Sequence, residues 1–97
     1  MLEKTKTIVL STPIESNDGK VRYEQIDLKE PVLIQVEQFY EAQNKSNHSI
    51  AAMRLLISLV SEIPEPVLKK MSISDFLQCQ EFILGFLDSK RSIAGSN

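Results

Sequence analysis

The chain has 97 residues, of which 42% are hydrophobic and 25% are charged, and its formal net charge at pH 7 is -2. This length corresponds to one domain with one modest core. The near-neutral charge gives no electrostatic basis for nucleic-acid binding, which normally requires a basic face. A single cysteine, Cys79, cannot form an internal disulfide, which is consistent with a reducing cytosol.

The first third of the chain predicts a β-hairpin. The pattern over Lys6–Ile14 alternates and places Ile8 and Leu10 on one face. The turn signal SNDGK at 16–20 contains Asp-Gly, which supplies the positive φ that hairpin turns need. Val21–Leu28 alternates imperfectly, which predicts a twisted or bulged hairpin. Because an isolated hairpin is marginal in water, these strands must pack on helices or pair with another subunit.

A short amphipathic helix is expected over Val32–Gln43, after Pro31, which suits a first helical turn. The polar segment Asn44–Ser49 then predicts a linker. The apolar positions of the helix recur with helical spacing; they are Val32, Val36, Phe39 and Tyr40.

The longest apolar run, IAAMRLLISLVSEI, predicts a central helix over Ile50–Ile63. Its apolar positions cover more than the roughly 100° stripe of an ordinary surface helix, so it must be covered on more than one side. Arg54 interrupts the run, which is well short of the ~20 residues that span a bilayer. The N-terminal apolar run is likewise too short for a signal peptide. We therefore expect no membrane association.

The last third predicts a single helical turn at Val67–Met71 and a final helix over Ile73–Asp88. Ser72 and Asp75 have the spacing of a capping box, with Asp in place of Glu.

Residues 89–97 carry too little apolar content to fold alone. The predicted organisation is one domain of residues 1–88 and a flexible C-terminal tail of residues 89–97. The fold class is α+β, an N-terminal β-hairpin followed by a small bundle of about three helices.

The sequence contains almost no pattern that is typical of a catalytic site. His48, the only histidine, lies in the polar linker without a framing serine and carboxylate pattern. Cys79 lies on the apolar stripe of the last helix, where a thiol usually packs as a small hydrophobe. The glycines are isolated, so no phosphate-binding loop is present. We expect no enzymatic activity, no cofactor and no metal site.

The apolar content of the helices exceeds what one small core absorbs, and excess apolar surface usually marks an interface. The alternative is that the long helices simply cover one another and the hairpin. The interface would serve self-association, a bound partner helix, or both. The four candidate partner contacts are Leu55, Leu59, Phe82 and Phe86.

A small DNA-binding regulator is the alternative from another class, with a helix-turn-helix over Ile50–Leu87. Its recognition helix would have to present polar side chains to bases. The final helix offers only Ser74, Gln78 and Gln80, and the junction is a Pro-x-Pro. Nucleic acid is therefore not expected as a partner.

The order of these segments resembles the small tail assembly chaperones of long-tailed, Mu-like phages, over roughly residues 7 to 87. The second strand ends in Leu28-Lys29-Glu30-Pro31, which is similar to the Leu-x-Glu-Pro segment of that family. A Pro-containing turn at Ile63-Pro64 leads to the hydrophobic–Lys–hydrophobic stretch Leu68–Met71. The last helix opens with Asp75-Phe76 and contains Gly85-Phe86, as in the family.

The resemblance implies a non-enzymatic chaperone that binds the helical tape measure protein in the host cytoplasm. It would keep this client soluble until the tail tube polymerises around it. Homo-oligomers are expected from the excess apolar surface rather than from the resemblance. A third possibility is a structural tail or neck component that oligomerises through the hairpin edge.

Overall fold

A computed structural model describes residues 4–46 and 49–95. It has two N-terminal strands followed by helices, which confirms the predicted α+β class. The third helix is a single turn, so three longer helices accompany the hairpin, as the sequence predicts. The elements are β1 (Thr5–Glu15), β2 (Arg22–Lys29), α1 (Leu33–Ser46), α2 (Ser49–Ser61), α3 (Glu65–Leu68) and α4 (Ile73–Gly95).

The hairpin is antiparallel and contains the irregularity that the sequence predicts. Pairing runs from Thr5 opposite Lys29 to Val9 opposite Gln25, and it resumes only at Ile14 opposite Tyr23. Residues 10–13 of β1 therefore face a single residue of β2, so the bulge is larger than the ordinary two residues against one. The bulge pulls this part of β1 away from its partner strand, so its backbone N–H groups need other acceptors.

The core lies between the hairpin and the helices, with α2 at its centre. Helix α2 packs against α1, β2, α3 and α4, which confirms that the central helix is covered on more than one side. The alternation predicted for β1 is also confirmed, because Ile8 and Leu10 are buried while Thr7 and Val9 are exposed. The largest fully buried side chains are Ile26, Leu28, Leu56, Ile57, Val60, Asp75, Cys79 and Ile83.

Helix α1 differs from its predicted apolar face. Phe39 is buried, but Val32 and Tyr40 are exposed. The reason is that α1 packs chiefly on α2, so only a narrow face is covered. Gln35 fixes the start of the helix, since its Oε1 accepts the Val32 N–H and its Nε2 donates to the Leu59 carbonyl at 3.3 Å.

Three helix ends differ from the sequence prediction. Helix α1 continues to Ser46, into the predicted linker, whose residues 47–48 lie outside the described part of the chain. Helix α2 stops at Ser61, because Glu62 adopts a left-handed φ of 64° and Ser58 donates its hydroxyl to the Ile63 carbonyl. Helix α4 extends to Gly95 rather than ending at Asp88. The division into a domain of residues 1–88 and a flexible tail stays a prediction.

Candidate partner-binding surface

Of the two residues with catalytic potential, the structure describes Cys79, which is buried. His48 lies outside the described residues. Burial, and then the negative charge of Asp75, raise the pKa of the Cys79 thiol to about 12, so it stays protonated at neutral pH. This matches its predicted place in the core. Among residues 4–46 and 49–95, no group of His, Cys, Asp or Glu is placed to hold a metal ion.

Asp75 is the one buried charged residue in the described core, and it joins α4 to the bulge of β1. Its side chain is 0% exposed. Its carboxylate accepts the Ser11 N–H at 3.0 and 3.1 Å, the Ser11 hydroxyl at 3.1 Å and the Thr12 N–H at 3.4 Å. The N–H groups that the bulge removes from the hairpin ladder are thus satisfied by a side chain 64 positions away in sequence.

The electrostatics of Asp75 follow from these contacts. Burial alone would raise its pKa, but the hydrogen bonds from Ser11, Ser72 and Thr12 together outweigh burial and lower the pKa below 3.8. The carboxylate is therefore ionised at neutral pH. Ser72 caps α4 as predicted, since its hydroxyl accepts the Asp75 N–H at 3.3 Å. The carboxylate itself does not complete the predicted capping box, because it is directed at β1.

The outer face of the first turns of α4 carries two apolar side chains that are open to solvent. Ile73 is 62% exposed, and Leu77, one turn further along α4, is 50% exposed. Ile50, at the start of α2, is 58% exposed. Two further exposed apolar residues, Leu33 and Ile34, lie at the start of α1. Large apolar side chains that group together on a surface are typical of an interaction site.

An apolar groove lies where the starts of α2 and α4 meet α3 and the turn that follows it. It encloses about 200 Å³ and is open on one side. Leu68 and Phe76 are buried at its base, and Met71 is half-buried. Its residues are Ile50, Arg54, Leu68, Lys69, Met71, Ile73 and Phe76.

A larger cleft of about 490 Å³ lies between the open end of the hairpin and the end of α2. Its two apolar members, Leu28 and Val60, are buried in the core. The ion pair between Lys29 and Glu62, with N–O at 3.5 Å, joins its two sides. The remaining lining is polar and mostly exposed, so this cleft presents little that would recognise an apolar partner. Its other residues are Thr5, Lys6, Thr7, Asp27 and Ser61.

The four contact candidates from the sequence are half-buried rather than exposed. Phe82 and Phe86 pack edge to face, with ring centroids 5.1 Å apart. Leu55 and Leu59 lie one turn apart on α2, and the Leu59 carbonyl accepts a hydrogen bond from α1. Sequence reasoning missed Ile73 and Leu77, because their spacing on an amphipathic helix fits a core stripe equally well.

No helix in the described ranges is long and apolar enough to cross a membrane. The described residues form an α+β protein whose helices present apolar surface to solvent. A family model for phage tail assembly chaperone proteins, E, or 41 or 14, matches residues 7–88. Comparisons with curated proteins and with solved structures found no match. The chain belongs to this family of phage tail assembly chaperones, and its role is that of a chaperone in tail assembly.

Proposed function

We propose that the chain binds the tape measure protein through apolar helical surface and keeps it soluble in the host cytoplasm during tail assembly. Membership of the chaperone family supports this proposal. The observation that carries it is the grouping of Ile50, Ile73 and Leu77 on the outside of the helices, each at least half exposed. Apolar side chains in such a group gain free energy when a partner covers them.

The mechanism is reversible burial of apolar area between chaperone and client. An amphipathic client helix laid against this surface would remove its own apolar face from water. The gain is roughly 25 cal/mol per Å² buried, before the cost of ordering both partners is subtracted. The ordering cost offsets much of this gain. The net affinity would then be high enough to prevent aggregation of the client and low enough to release it.

Leu55, Leu59, Phe82 and Phe86 remain the proposed contacts from the sequence. Each is half-buried, so each keeps some apolar area for a partner while packing within the chain. The role is non-enzymatic in this proposal, which the buried, protonated thiol of Cys79 supports.

Self-association accompanies client binding in the proposal. The hairpin is a two-stranded sheet in the described part of the chain, so each strand has one edge without a strand neighbour there. Such edges favour pairing with another chain. Light scattering coupled to size exclusion would measure the mass, and a monomer at all concentrations would contradict self-association.

The test of client binding is co-expression with the tape measure protein. The soluble fraction of the tape measure protein, measured after centrifugation, should rise severalfold when the chain is present. Leu59→Asp and Phe82→Asp should abolish this rise while helix content by circular dichroism stays near wild type. Loss of the fold would instead mark those positions as core. A tape measure protein that stays insoluble with the wild-type chain would overturn the proposed function.

A further inference from the structure

We propose that the apolar groove holds one large apolar side chain of an amphipathic client helix whose neighbouring residues are acidic. The proposal rests on the proposed function and assigns it a specific site. The groove lies between Ile50 on α2 and Ile73 on α4, with Leu68 and Phe76 beneath them. Its size, its lining and its charge each restrict what it accepts.

The size of the groove suits a side chain. Pockets that bind drug-sized molecules measure about 300–1,000 Å³. At about 200 Å³, the groove is smaller than these, and it is open along one side. A water molecule takes up about 30 Å³ of liquid, so the groove is also much larger than a hydration site. A Leu, Ile, Met or Phe side chain entering from a helix laid across the opening fits this space.

The lining supplies an apolar base and two exposed walls. Leu68 and Phe76 are buried and hold the base in place. Met71 is half-buried and unbranched, so it adapts its shape to the side chain that enters. Ile50 and Ile73 stand at the rim with more than half of their area exposed, which gives the partner the largest apolar area to cover.

The charge of the rim defines the partner further. The groove carries two cationic residues, Arg54 and Lys69, and no acidic residue lines it, although the whole chain has a net charge of -2. Glu65 binds Arg54 at 3.1 Å and neutralises part of its charge. Lys69 is exposed and forms no ion pair within the described residues. A carboxylate next to the inserted side chain would therefore meet Lys69.

The outer face of α4 extends the contact beyond the groove. Leu77 follows Ile73 by one turn, so the two side chains lie on the same face of the helix. A client helix anchored in the groove would meet Leu77 with its next apolar residue. Helices bound in grooves use this spacing of anchors.

The test uses two variants in the groove and two matched controls. Ile73→Glu places a carboxylate at the first residue of α4, where the helix dipole favours it, so the fold should be retained. Val9→Glu makes the same change at an exposed apolar residue of β1. Lys69→Glu reverses the rim charge, and Lys20→Glu makes the same reversal in the exposed hairpin turn. Circular dichroism confirms that each variant is folded.

The probes are two synthetic helical peptides with leucines at i, i+4 and i+7. One has glutamates beside the leucines and the other has lysines at the same positions. Fluorescence anisotropy measures the Kd of each, and co-expression measures the soluble tape measure protein. The wild-type chain should bind the glutamate peptide at least about tenfold more tightly than the lysine peptide.

Ile73→Glu should weaken binding of the glutamate peptide by at least about tenfold, as for a central anchor contact. Lys69→Glu should remove most of the preference between the two peptides, and Val9→Glu and Lys20→Glu should behave as wild type. Both groove variants should also lower the soluble fraction of the tape measure protein.

Equal binding of the two peptides would overturn the charge assignment. An equal loss of peptide binding in Val9→Glu and Ile73→Glu would overturn the site.

Co-expression separates the groove from the proposed function. If the wild-type chain solubilises the tape measure protein and both groove variants do so equally well, the groove is wrong and the proposed function stands. If the wild-type chain fails to solubilise it while the glutamate peptide still binds, the proposed function is wrong and the groove stands. A fall in self-association in Ile73→Glu without any peptide binding would assign the groove to a second copy and overturn the proposal.

Discussion

The inner and outer faces of the first turns of α4 differ sharply in what they contact. On the inner face, Asp75, Phe76 and Cys79 are buried, and the Asp75 carboxylate is saturated with donors from β1. On the outer face, Ile73 and Leu77 are at least half exposed. The exposed apolar residues therefore stand on a firmly anchored helix. Apolar surface presented in this way is preorganised for a partner, which lowers the ordering cost of binding.

The inner face should be the more sensitive to truncation of an apolar side chain. Ile83 is fully buried on α4, so Ile83→Ala leaves a cavity and should lower the free energy of unfolding by about 3 kcal/mol. Urea titration followed by circular dichroism measures this difference. A loss below about 1 kcal/mol would show that the inner face of α4 is loosely packed.

Asp75→Ala should follow, with a loss of about 2 to 3 kcal/mol in the free energy of unfolding. The variant leaves the N–H groups of Ser11 and Thr12 without their charged acceptor. Glu81→Ala is the matched control, because Glu81 is an exposed acidic residue on the same helix. Its effect should stay within about 0.5 kcal/mol. Equal effects of the two substitutions would remove Asp75 as the anchor of α4.

Acid should weaken the inner face selectively. The pKa of Asp75 is lower in the folded chain than its ordinary 3.8. Its ionised form therefore stabilises the fold above pH 3.8, and this contribution is lost as the pH falls through the folded-state pKa. The stability difference between wild type and Asp75→Asn should shrink below about pH 4.

Urea titrations at a series of pH values measure this difference. Glu81→Gln is the control, since Glu81 is an exposed carboxyl on the same helix. A difference between wild type and Asp75→Asn that stays constant from neutral pH to pH 2 would contradict the assignment to Asp75.

The outer face should give the smallest change in stability. Leu77 is half exposed, and alanine is at least as good a helix former as leucine. Leu77→Ala should therefore change the free energy of unfolding by less than about 0.5 kcal/mol, while it weakens client binding. A loss of stability as large as that of Ile83→Ala would place Leu77 in the core and erase the contrast between the two faces.

The local features of this fold were predictable from the sequence. The hairpin, its irregular register, the buried face of Ile8 and Leu10, and the Ser72 cap all follow from short-range patterns, and the structure confirms them. The α+β class follows from the order of these patterns. The predicted helix ends were less accurate. Helix α2 ends at Ser61, because the next residue, Glu62, adopts a left-handed conformation although it is not a glycine. Pro64 indicates that α2 ends nearby but does not indicate at which residue.

The contact between Asp75 and the β1 bulge was not predictable. It joins residues 64 positions apart, and a serine three residues before an aspartate looks like a self-contained capping box. The outward direction of Ile73 and Leu77 has the same origin. It depends on which face of α4 meets β1, and the Asp75 carboxylate contributes to that choice. Helical periodicity alone leaves both faces possible.

The most direct test of the central claim is amide hydrogen exchange of the chain with and without the tape measure protein. We expect added protection at residues 50–54 of α2 and at residues 68–77, from the end of α3 into α4, because the client covers the apolar groove and the outer face of α4. Added protection confined to the hairpin, residues 5–29, with none on the helices, would contradict binding through apolar helical surface.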